Sequence, residues 1–272
     1  MGTGYLWAIL GGYTALAVQL TERSWDQQVA GKTVFVNFHA KWCSHCEALK
    51  PTWEKLANAK FRFKDKHKKK VLLIADVECS GDSAKFCLDQ GVDKFPTLKY
   101  GNPFDLDEYK GKKELTDLER FVQELEPVCT VEDQRYCSTS EKTLIKKFQK
   151  TSLVALDELV EELSGERKKV ESEYSLFKDN LLGTLTKAGQ QKDKDVSSTR
   201  DSQEKQKIEE DFRKFVDGLT SQHDAKEAEM KETLKRLKER GLGLARSIHQ
   251  NRTICASPME NGCGSCRAAT ME

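Results

Sequence analysis

The chain has 272 residues, a length typical of one or two domains. Hydrophobic residues make up 38% of the chain and charged residues 33%. Its 45 lysine and arginine residues nearly equal its 44 aspartate and glutamate residues. This balance gives no bias towards nucleic acid or an anionic membrane surface, so neither is predicted as a partner.

The first segment of the chain is apolar and uncharged from Tyr5 to Val18. Because Ala15-Leu16-Ala17 has the small-x-small pattern of a cleavage site, we expect a secretory signal peptide over residues 1–17, although a basic n-region is missing. The stretch is shorter than the ~20 residues of a membrane span; an uncleaved N-terminal anchor is the alternative. After cleavage no membrane segment is expected. A signal peptide and nine cysteines together predict an oxidising compartment.

The next part of the chain alternates between strand and helix patterns. A short opening element is expected at 21–31, anchored by Trp25 and Val29. Strands are then predicted at 34–40, 71–75, 97–100 and 104–110, and helices at 44–63, within 79–92 and at 115–125. Such alternation predicts an α/β sheet with helices on both faces, and the hairpin at 97–110 makes the sheet mixed.

Two cysteines, Cys43 and Cys46, lie where the first long strand leads into a helix. Free N–H groups and the helix dipole favour an anion at that place, so we expect Cys43 to have a lowered pKa. We also expect Cys43, the N-terminal member, to be the more exposed of the pair. Zinc sites use the same Cys-x-x-Cys spacing but need two further ligands, and the histidines show no ligand spacing. The strand-to-helix context therefore favours redox chemistry, and no metal is predicted.

The segment around these cysteines, Phe38 to Pro51, reads FHAKWCSHCEALKP. It resembles the active-site segment of protein disulfide isomerases, which belong to the thioredoxin superfamily. The similarity continues at Val77–Ser80, Gly91–Tyr100 and Tyr109–Gly111, so it covers about residues 20–127. The resemblance implies a thioredoxin fold, a mixed central sheet flanked by helices, for a domain over 18–128.

The resemblance also implies a role for each residue of the site. Cys43 is the attacking nucleophile, and Cys46 is the resolving thiol that releases the mixed disulfide. His45 stabilises the Cys43 thiolate, which places the reduction potential nearer about −180 mV than the about −270 mV of thioredoxin. Pro96 is a cis-proline that faces the cysteines, and the backbone preceding it pairs with the substrate strand. No cofactor is implied, and the side chains expected to contact substrate are Trp42, Phe95 and Thr97.

Ser44 replaces the family's usual glycine, and three further positions depart from the family pattern near the resolving cysteine. Asn37 stands where the family often has a buried acid that exchanges a proton with the resolving cysteine, and Asp76 stands where that acid has a lysine companion. Because an amide cannot accept the proton, either Asp76 or water does so, or turnover is slower. Lys112 or Lys113 replaces a mobile arginine. These departures weaken the prediction of efficient isomerisation more than that of simple oxidation or reduction.

Three pairs of cysteines share one spacing, with seven residues between their members. The spacing predicts local disulfides Cys79–Cys87 and Cys129–Cys137, the alternative being unpaired or differently paired thiols, and a possible third bridge Cys255–Cys263. The second bridge clamps a linker over 129–140. Cys266 is then left for an intermolecular bond, or Cys263 and Cys266 form a second Cys-x-x-Cys on the tail.

The composition becomes strongly polar and helix-like from Glu141, and the following hundred residues lack proline. Apolar residues recur at three- and four-residue steps on both sides of a polar break at 189–202. This pattern predicts a helical hairpin or coiled coil over 141–250, followed by a flexible tail over 251–272. The helices could bind substrate, form a homodimer or set the reach of the active site.

The sequence thus predicts a thiol–disulfide oxidoreductase of the protein disulfide isomerase type in the secretory pathway, with the endoplasmic reticulum lumen as the expected site. Its expected partners are unfolded or disulfide-containing polypeptides and a thiol oxidant or reductant. Residues 269–272 are not a KDEL-type signal, so secretion or another endomembrane compartment stays open. The alternatives are a chaperone or escort that binds clients through its helices, and a coiled-coil assembly protein.

Overall fold

The computed structural model describes residues 17–59 and 71–256. They form two units, one containing the residues up to Lys146 and those from Gln250 onwards, the other containing Lys147–His249. The predicted signal peptide, apart from Ala17, lies outside the described residues. So does the tail from residue 257, and the side chain of Cys255 is not described, so the predictions for Cys255, Cys263 and Cys266 stay predictions.

A five-stranded mixed sheet forms the centre of the first unit. Its order is β1-β3-β2-β4-β5, with β1 and β2 parallel to β3 and with β4 and β5 antiparallel to their neighbours. The strands are β1 (Val18–Leu20), β2 (Thr33–His39), β3 (Leu72–Glu78), β4 (Thr97–Asn102) and β5 (Asp105–Glu108). This is the predicted mixed α/β sheet. No strand is predicted at β1, because three residues are too few for a strand pattern.

In the described ranges, four helices flank this sheet, namely α1 (Glu22–Val29), α2 (Ser44–Asn58), α3 (Ala84–Asp89) and α4 (Leu115–Glu124). Helix α1 begins at a capping box formed by Thr21 and Ser24, and it buries the predicted anchors Trp25 and Val29. Helix α2 contains Pro51 but is shorter than the predicted 44–63, because the backbone is already extended at Ala59.

Strand β2 is buried on both faces because helices cover both sides of the sheet. Val34 belongs to a core cluster with Trp25, whereas Phe35 packs on the α2 side, where its ring lies 4.9 Å from that of Trp53. Side chains alternate along a strand, so Asn37 shares the α2 side with Phe35. A polar residue is thereby held in the core, directly beneath the helix that begins at the cysteine pair.

The second unit is dominated by two long helices that run antiparallel. The helices of the C-terminal region are α5 (Thr139–Lys150), α6 (Leu153–Ser198), α7 (Ser202–Glu239) and α8 (Leu242–Ala256). Contacts between α6 and α7 run in reverse order, with Tyr174 bonded to His223 at 3.1 Å and Lys192 lying 5.3 Å from the ring of Phe212. With 1.5 Å of rise per residue, α6 is about 70 Å long.

The helical region differs from the prediction in three ways. The predicted polar break at 189–202 is helical up to Ser198, and only residues 199–201 separate α6 from α7. Its lysines and glutamines are good helix formers, so polarity alone did not end the helix. Helix α5 begins at Thr139, inside the predicted linker. Helix α8 continues to Ala256, although a flexible tail is predicted from residue 251.

Across the two described ranges, no helix is both long and apolar enough to cross a membrane.

Candidate redox site

Cys43 is the residue that caps the N-terminus of α2. Its Sγ accepts a hydrogen bond from the backbone N–H of Cys46 at 3.2 Å, and its carbonyl accepts from Cys46 and Glu47 at 3.0 and 3.1 Å. The N–H groups of the first helical turn therefore converge on Cys43, at the place where a helix best accommodates negative charge. Both cysteines of the motif are free thiols.

The two cysteines are equally buried, with 7% of Cys43 and 6% of Cys46 exposed. The prediction that Cys43 is the more exposed of the two is therefore wrong. Ala40 and Phe95 pack against both cysteines, and this cover accounts for the difference. The exposed residues of the site are its neighbours, since His45 lies on the surface and 74% of Trp42 is accessible.

The environment of Cys46 favours its protonated form. Burial is the largest effect, and together with the hydrogen bond to Cys43 it raises the pKa of the Cys46 thiol to about 11. The positive charge of Lys113 acts weakly in the opposite direction. At neutral pH Cys46 is thus a thiol, and it needs a base before it can act as a nucleophile.

The loop that faces the cysteines contains the cis peptide bond Phe95-Pro96, as predicted. Phe95 lies against the cysteine pair and meets the exposed ring of Trp42 edge-on, with 5.7 Å between ring centroids. The Pro96 carbonyl accepts a hydrogen bond from the Lys113 ammonium at 2.9 Å. Of the two lysines proposed to replace the family's arginine, Lys113 is therefore the one bonded to this loop.

Thr97 is the first residue of β4, directly after this loop, and it is buried rather than at the surface. Only 4% of the residue is exposed, and its hydroxyl donates to the Lys94 carbonyl at 2.7 Å. The structure therefore brings Trp42 and Phe95 together beside the cysteines, with Pro96 next to Phe95 in the loop, and assigns Thr97 to holding the shape of the loop.

A buried carboxylate lies behind Cys46. Asp76 on β3 accepts a hydrogen bond of 2.8 Å from the side-chain amide of Asn37 on β2, and both residues are at least nine-tenths buried. Burial raises the pKa of Asp76 to about 6, and the bond from Asn37 partly opposes this rise. At pH 7 most of the carboxyl is ionised and can accept a proton.

Cys46 and Asp76 line one cavity of about 480 Å³ beneath the first turns of α2. Asn37, Trp53 and His39 line it as well. Asn37 and Asp76, two positions that depart from the family pattern, thus meet behind Cys46, with the acid on β3 instead of β2. His39 also lines this cavity, although the sequence did not single it out as a site residue. The sequence feature that could have identified His39 is its position two residues after Asn37, because this spacing puts both side chains on one face of β2.

Two disulfides brace the described part of the first unit, and both have the predicted pairing. Cys79–Cys87 joins the end of β3 to α3, and Cys129–Cys137 closes the loop that follows α4. All four cysteines are buried. The first bridge ties the end of β3, the strand that carries Asp76 and Glu78, to α3. Among the residues that the structure describes, no group of three or more His, Cys, Asp or Glu side chains could hold a metal ion.

Comparison with known proteins places this site in a family. The thioredoxin family model matches residues 16–124. A protein disulfide-isomerase-like protein of Emiliania huxleyi, EhSep2, is 35% identical over 175 residues, which cover 62% of this chain and 76% of that protein. This match extends past residue 124 into the helical region. The thioredoxin domain-containing protein 5 homolog of Drosophila melanogaster is 37% identical over 108 residues, 39% of this chain and 25% of that one.

Among solved structures, the J-Trx1 fragment of ERdj5 is 31% identical, with a TM-score of 0.33 over 40% of this chain and 50% of that chain. The extent of the EhSep2 match and the thioredoxin match together establish the relationship. The chain belongs to the protein disulfide isomerase family of the thioredoxin superfamily, whose common chemistry is thiol–disulfide exchange.

Proposed function

We propose that this protein exchanges disulfides with folding polypeptides of the secretory pathway, acting as a thiol–disulfide oxidoreductase through Cys43 and Cys46. The observation that carries the proposal is the Cys43 sulfur at the N-terminus of α2, where it accepts the Cys46 N–H. A sulfur in that position is suited to attack a disulfide or to leave as a thiolate.

The first step uses Cys43 alone. The Cys43 thiolate attacks one sulfur of a substrate disulfide, a mixed disulfide forms, and the other substrate sulfur leaves as a thiolate. Trp42 and Phe95 offer the incoming chain an aromatic surface beside this sulfur. The cis-Pro96 loop lies against the cysteines and supplies backbone groups for pairing an extended segment.

The second step requires Cys46 to lose its proton. In our proposal the Asp76 carboxylate takes that proton through the shared cavity, and the Cys46 thiolate then attacks the Cys43 sulfur. The Cys43–Cys46 disulfide forms as the reduced substrate leaves. In the oxidising direction the same steps run backwards, and protonated Asp76 returns the proton to Cys46.

Three variants test this proposal by insulin reduction and by trapping of mixed disulfides. Cys43→Ser should abolish turnover, whereas Cys46→Ser should accumulate mixed disulfides that remain stable on non-reducing gels. Cys129→Ser/Cys137→Ser is the matched control, because it removes a structural bridge and leaves the motif intact. Insulin reduction by Cys43→Ser at the wild-type rate would refute the assignment.

The compartment belongs to the proposal as well. We propose the lumen of the endoplasmic reticulum, because structural disulfides and a redox-active dithiol are typical of an oxidising compartment. A tagged full-length chain should co-fractionate with lumenal markers and resist protease in intact microsomes. Protease sensitivity in sealed microsomes would contradict this location.

A second function, client binding through the helices, is favoured by apolar side chains that lie on the surface of α6 and α7. Leu176 and Leu182 are more than 60% exposed, and Phe215 is 40% exposed. Such residues are suited to contact unfolded chains or a second copy of the protein. Replacing the three by serine in the full chain should weaken suppression of substrate aggregation while insulin reduction stays unchanged. Unchanged suppression would rule out these residues as the client surface.

A further inference from the structure

Two buried polar atoms in the cavity behind Cys46 have no hydrogen-bond partner among the described residues. They are the Asn37 carbonyl oxygen and the Trp53 indole nitrogen. One is an acceptor and the other a donor, and the Asp76 carboxylate lines the same space. Although this N–H has no hydrogen-bond partner, its dipole lowers the pKa of Asp76 and so favours the carboxylate. This lining suits ordered water, which needs two to four polar partners, and is poorly suited to an apolar ligand.

His39 extends this polar lining towards the surface. In the parallel ladder Asn37 lies opposite Asp76, and His39 lies opposite Glu78, two residues further along both strands. All four side chains line the cavity, and both members of the second pair are partly exposed. A continuous polar row therefore leads from the buried pair to the end of the sheet, where β2 turns into the cysteine motif.

Charged side chains on β3, on α2 and in the loop before α2 surround His39. Burial is the largest effect and lowers the pKa of the imidazole, while Glu78 on β3 and Glu47 on α2 raise it. Lys50 on α2 and Lys41 in the preceding loop lower it. At pH 7 the imidazole is thus mainly neutral, with one nitrogen able to accept a proton and the other carrying one.

The exchange reaction leaves a proton inside the protein. When Cys46 is deprotonated during resolution, the proton reaches the buried Asp76 carboxylate. Because the pKa of Asp76 is about 6 and that of Cys46 about 11, the proton returns to Cys46 unless it moves on from Asp76 to solvent, so its removal is part of resolution. Among the described residues that line the cavity, His39 is the one imidazole, and it is partly open to solvent. An imidazole can accept a proton at one nitrogen and release another from its second nitrogen.

We propose that His39 is the outlet of this path, a positioning residue that carries the proton between Asp76 and bulk solvent. This inference rests on the proposed function. In the reducing direction the Cys46 thiol gives its proton to the Asp76 carboxylate through cavity water, and the Cys46 thiolate displaces the substrate sulfur from Cys43. The Asp76 carboxyl passes the proton through water to His39, and the imidazolium releases a proton to solvent, which restores both groups.

Single-turnover kinetics separate this step from the initial attack. Reduced protein is mixed with a fluorescent peptide disulfide in dilute buffer between pH 6 and 8, and acid quenching at intervals measures the mixed disulfide and the final Cys43–Cys46 disulfide. His39→Gln should form the mixed disulfide at the wild-type rate but resolve it about tenfold more slowly. The pH dependence of resolution should also change. His249→Gln, a substitution in the helical unit, serves as the control and should match wild type.

Chemical rescue gives the decisive readout. In His39→Ala, resolution should speed up with increasing imidazole concentration, whereas the wild-type rate should not depend on it. A purely structural role for His39 would not produce such buffer dependence. If His39→Gln and His39→Ala resolve at the wild-type rate, or if the loss is not relieved by imidazole, the inference is overturned. Wild-type protein that forms no mixed disulfide at all would instead overturn the proposed function.

Discussion

The amide of Asn37 donates to the carboxylate of Asp76 across two parallel strands, and this 2.8 Å bond lies beneath the helix that carries Cys46. The pair places an acid, Asp76, behind Cys46, although the position on β2 where the family often has its acid is occupied by the amide Asn37. In the proposed reaction this Asp76 carboxylate, supplied by the neighbouring strand, is the buried proton acceptor. Several consequences of this arrangement can be measured.

Replacing Asp76 by Asn should stabilise the protein at neutral pH and above. The pKa of Asp76 is about 6 in the folded protein against 3.8 as the ordinary value, so folding favours the protonated form. Its contribution to stability is fully present below about pH 4 and is lost as the pH rises through about 6. A shift of this size corresponds to about 3 kcal/mol at pH 8.

Urea unfolding followed by tryptophan fluorescence measures this effect at pH 4 and pH 8. Asp76→Asn should be more stable than wild type by about 1–3 kcal/mol at pH 8 and should approach wild type at pH 4. Asp89→Asn, at an exposed carboxylate paired with Lys85, is the control and should show little change at either pH. An equal difference at both pH values for Asp76→Asn would contradict the assignment of the raised pKa.

Trp42 should contribute to substrate binding and not to the redox equilibrium. Its ring is 74% exposed in the free protein and is held edge-on to Phe95. Trp42→Ala should raise the KM for a peptide disulfide by about threefold to tenfold, because an aromatic contact of this kind contributes about 0.5–1.5 kcal/mol. Leu88→Ala, which removes another exposed apolar side chain of the same unit, should leave KM unchanged. An unchanged KM for Trp42→Ala would exclude this aromatic surface as the substrate-binding site.

The two structural disulfides should stabilise the first unit to a similar extent. Cys79–Cys87 and Cys129–Cys137 have the same sequence separation of 8, and the loop-entropy model gives about 2–3 kcal/mol for each. Each pair is replaced by alanines, and unfolding is measured without a reducing agent. A loss below about 1 kcal/mol for both pairs would show that the loop-entropy model does not describe these bridges.

The helical unit should depend on the apolar cluster formed by Leu163, Leu237 and Leu242. Leu163 is fully buried, so Leu163→Ala should lower the stability of this unit by about 2–5 kcal/mol. The matched control is Leu176→Ala in the same helix, where 63% of the side chain is exposed and the change should be within about 0.5 kcal/mol. Thermal unfolding followed by circular dichroism at 222 nm compares the two. Equal losses would mean that this cluster is not what holds the helices together.

The features that could be predicted from the sequence are those set by neighbouring residues. The strand before Cys43, the helix after Cys46 and the two local disulfides depend on short-range patterns and spacing, and they occur as predicted. The end of α6 could not be placed, because polar residues with good helix propensity allow a helix to continue.

The cavity behind Cys46 depends on long-range contacts instead. Asn37 and Asp76 were both recognised as departures from the family pattern, but their hydrogen bond depends on the register of β2 against β3, which no local pattern gives. The same register places His39 opposite Glu78. The burial of Cys43 was also missed, because its cover comes from Phe95, more than fifty residues away in the chain.

The reduction potential of the Cys43–Cys46 pair tests the central claim most directly. The protein is equilibrated in glutathione buffers, and the state of each cysteine is mapped by mass spectrometry, so that the structural pairs do not obscure the result. With His45 inside the motif, the account predicts a potential near about −180 mV, as in protein disulfide isomerase. A potential near about −270 mV, as in thioredoxin, would contradict a role in disulfide formation and would make the protein a reductase.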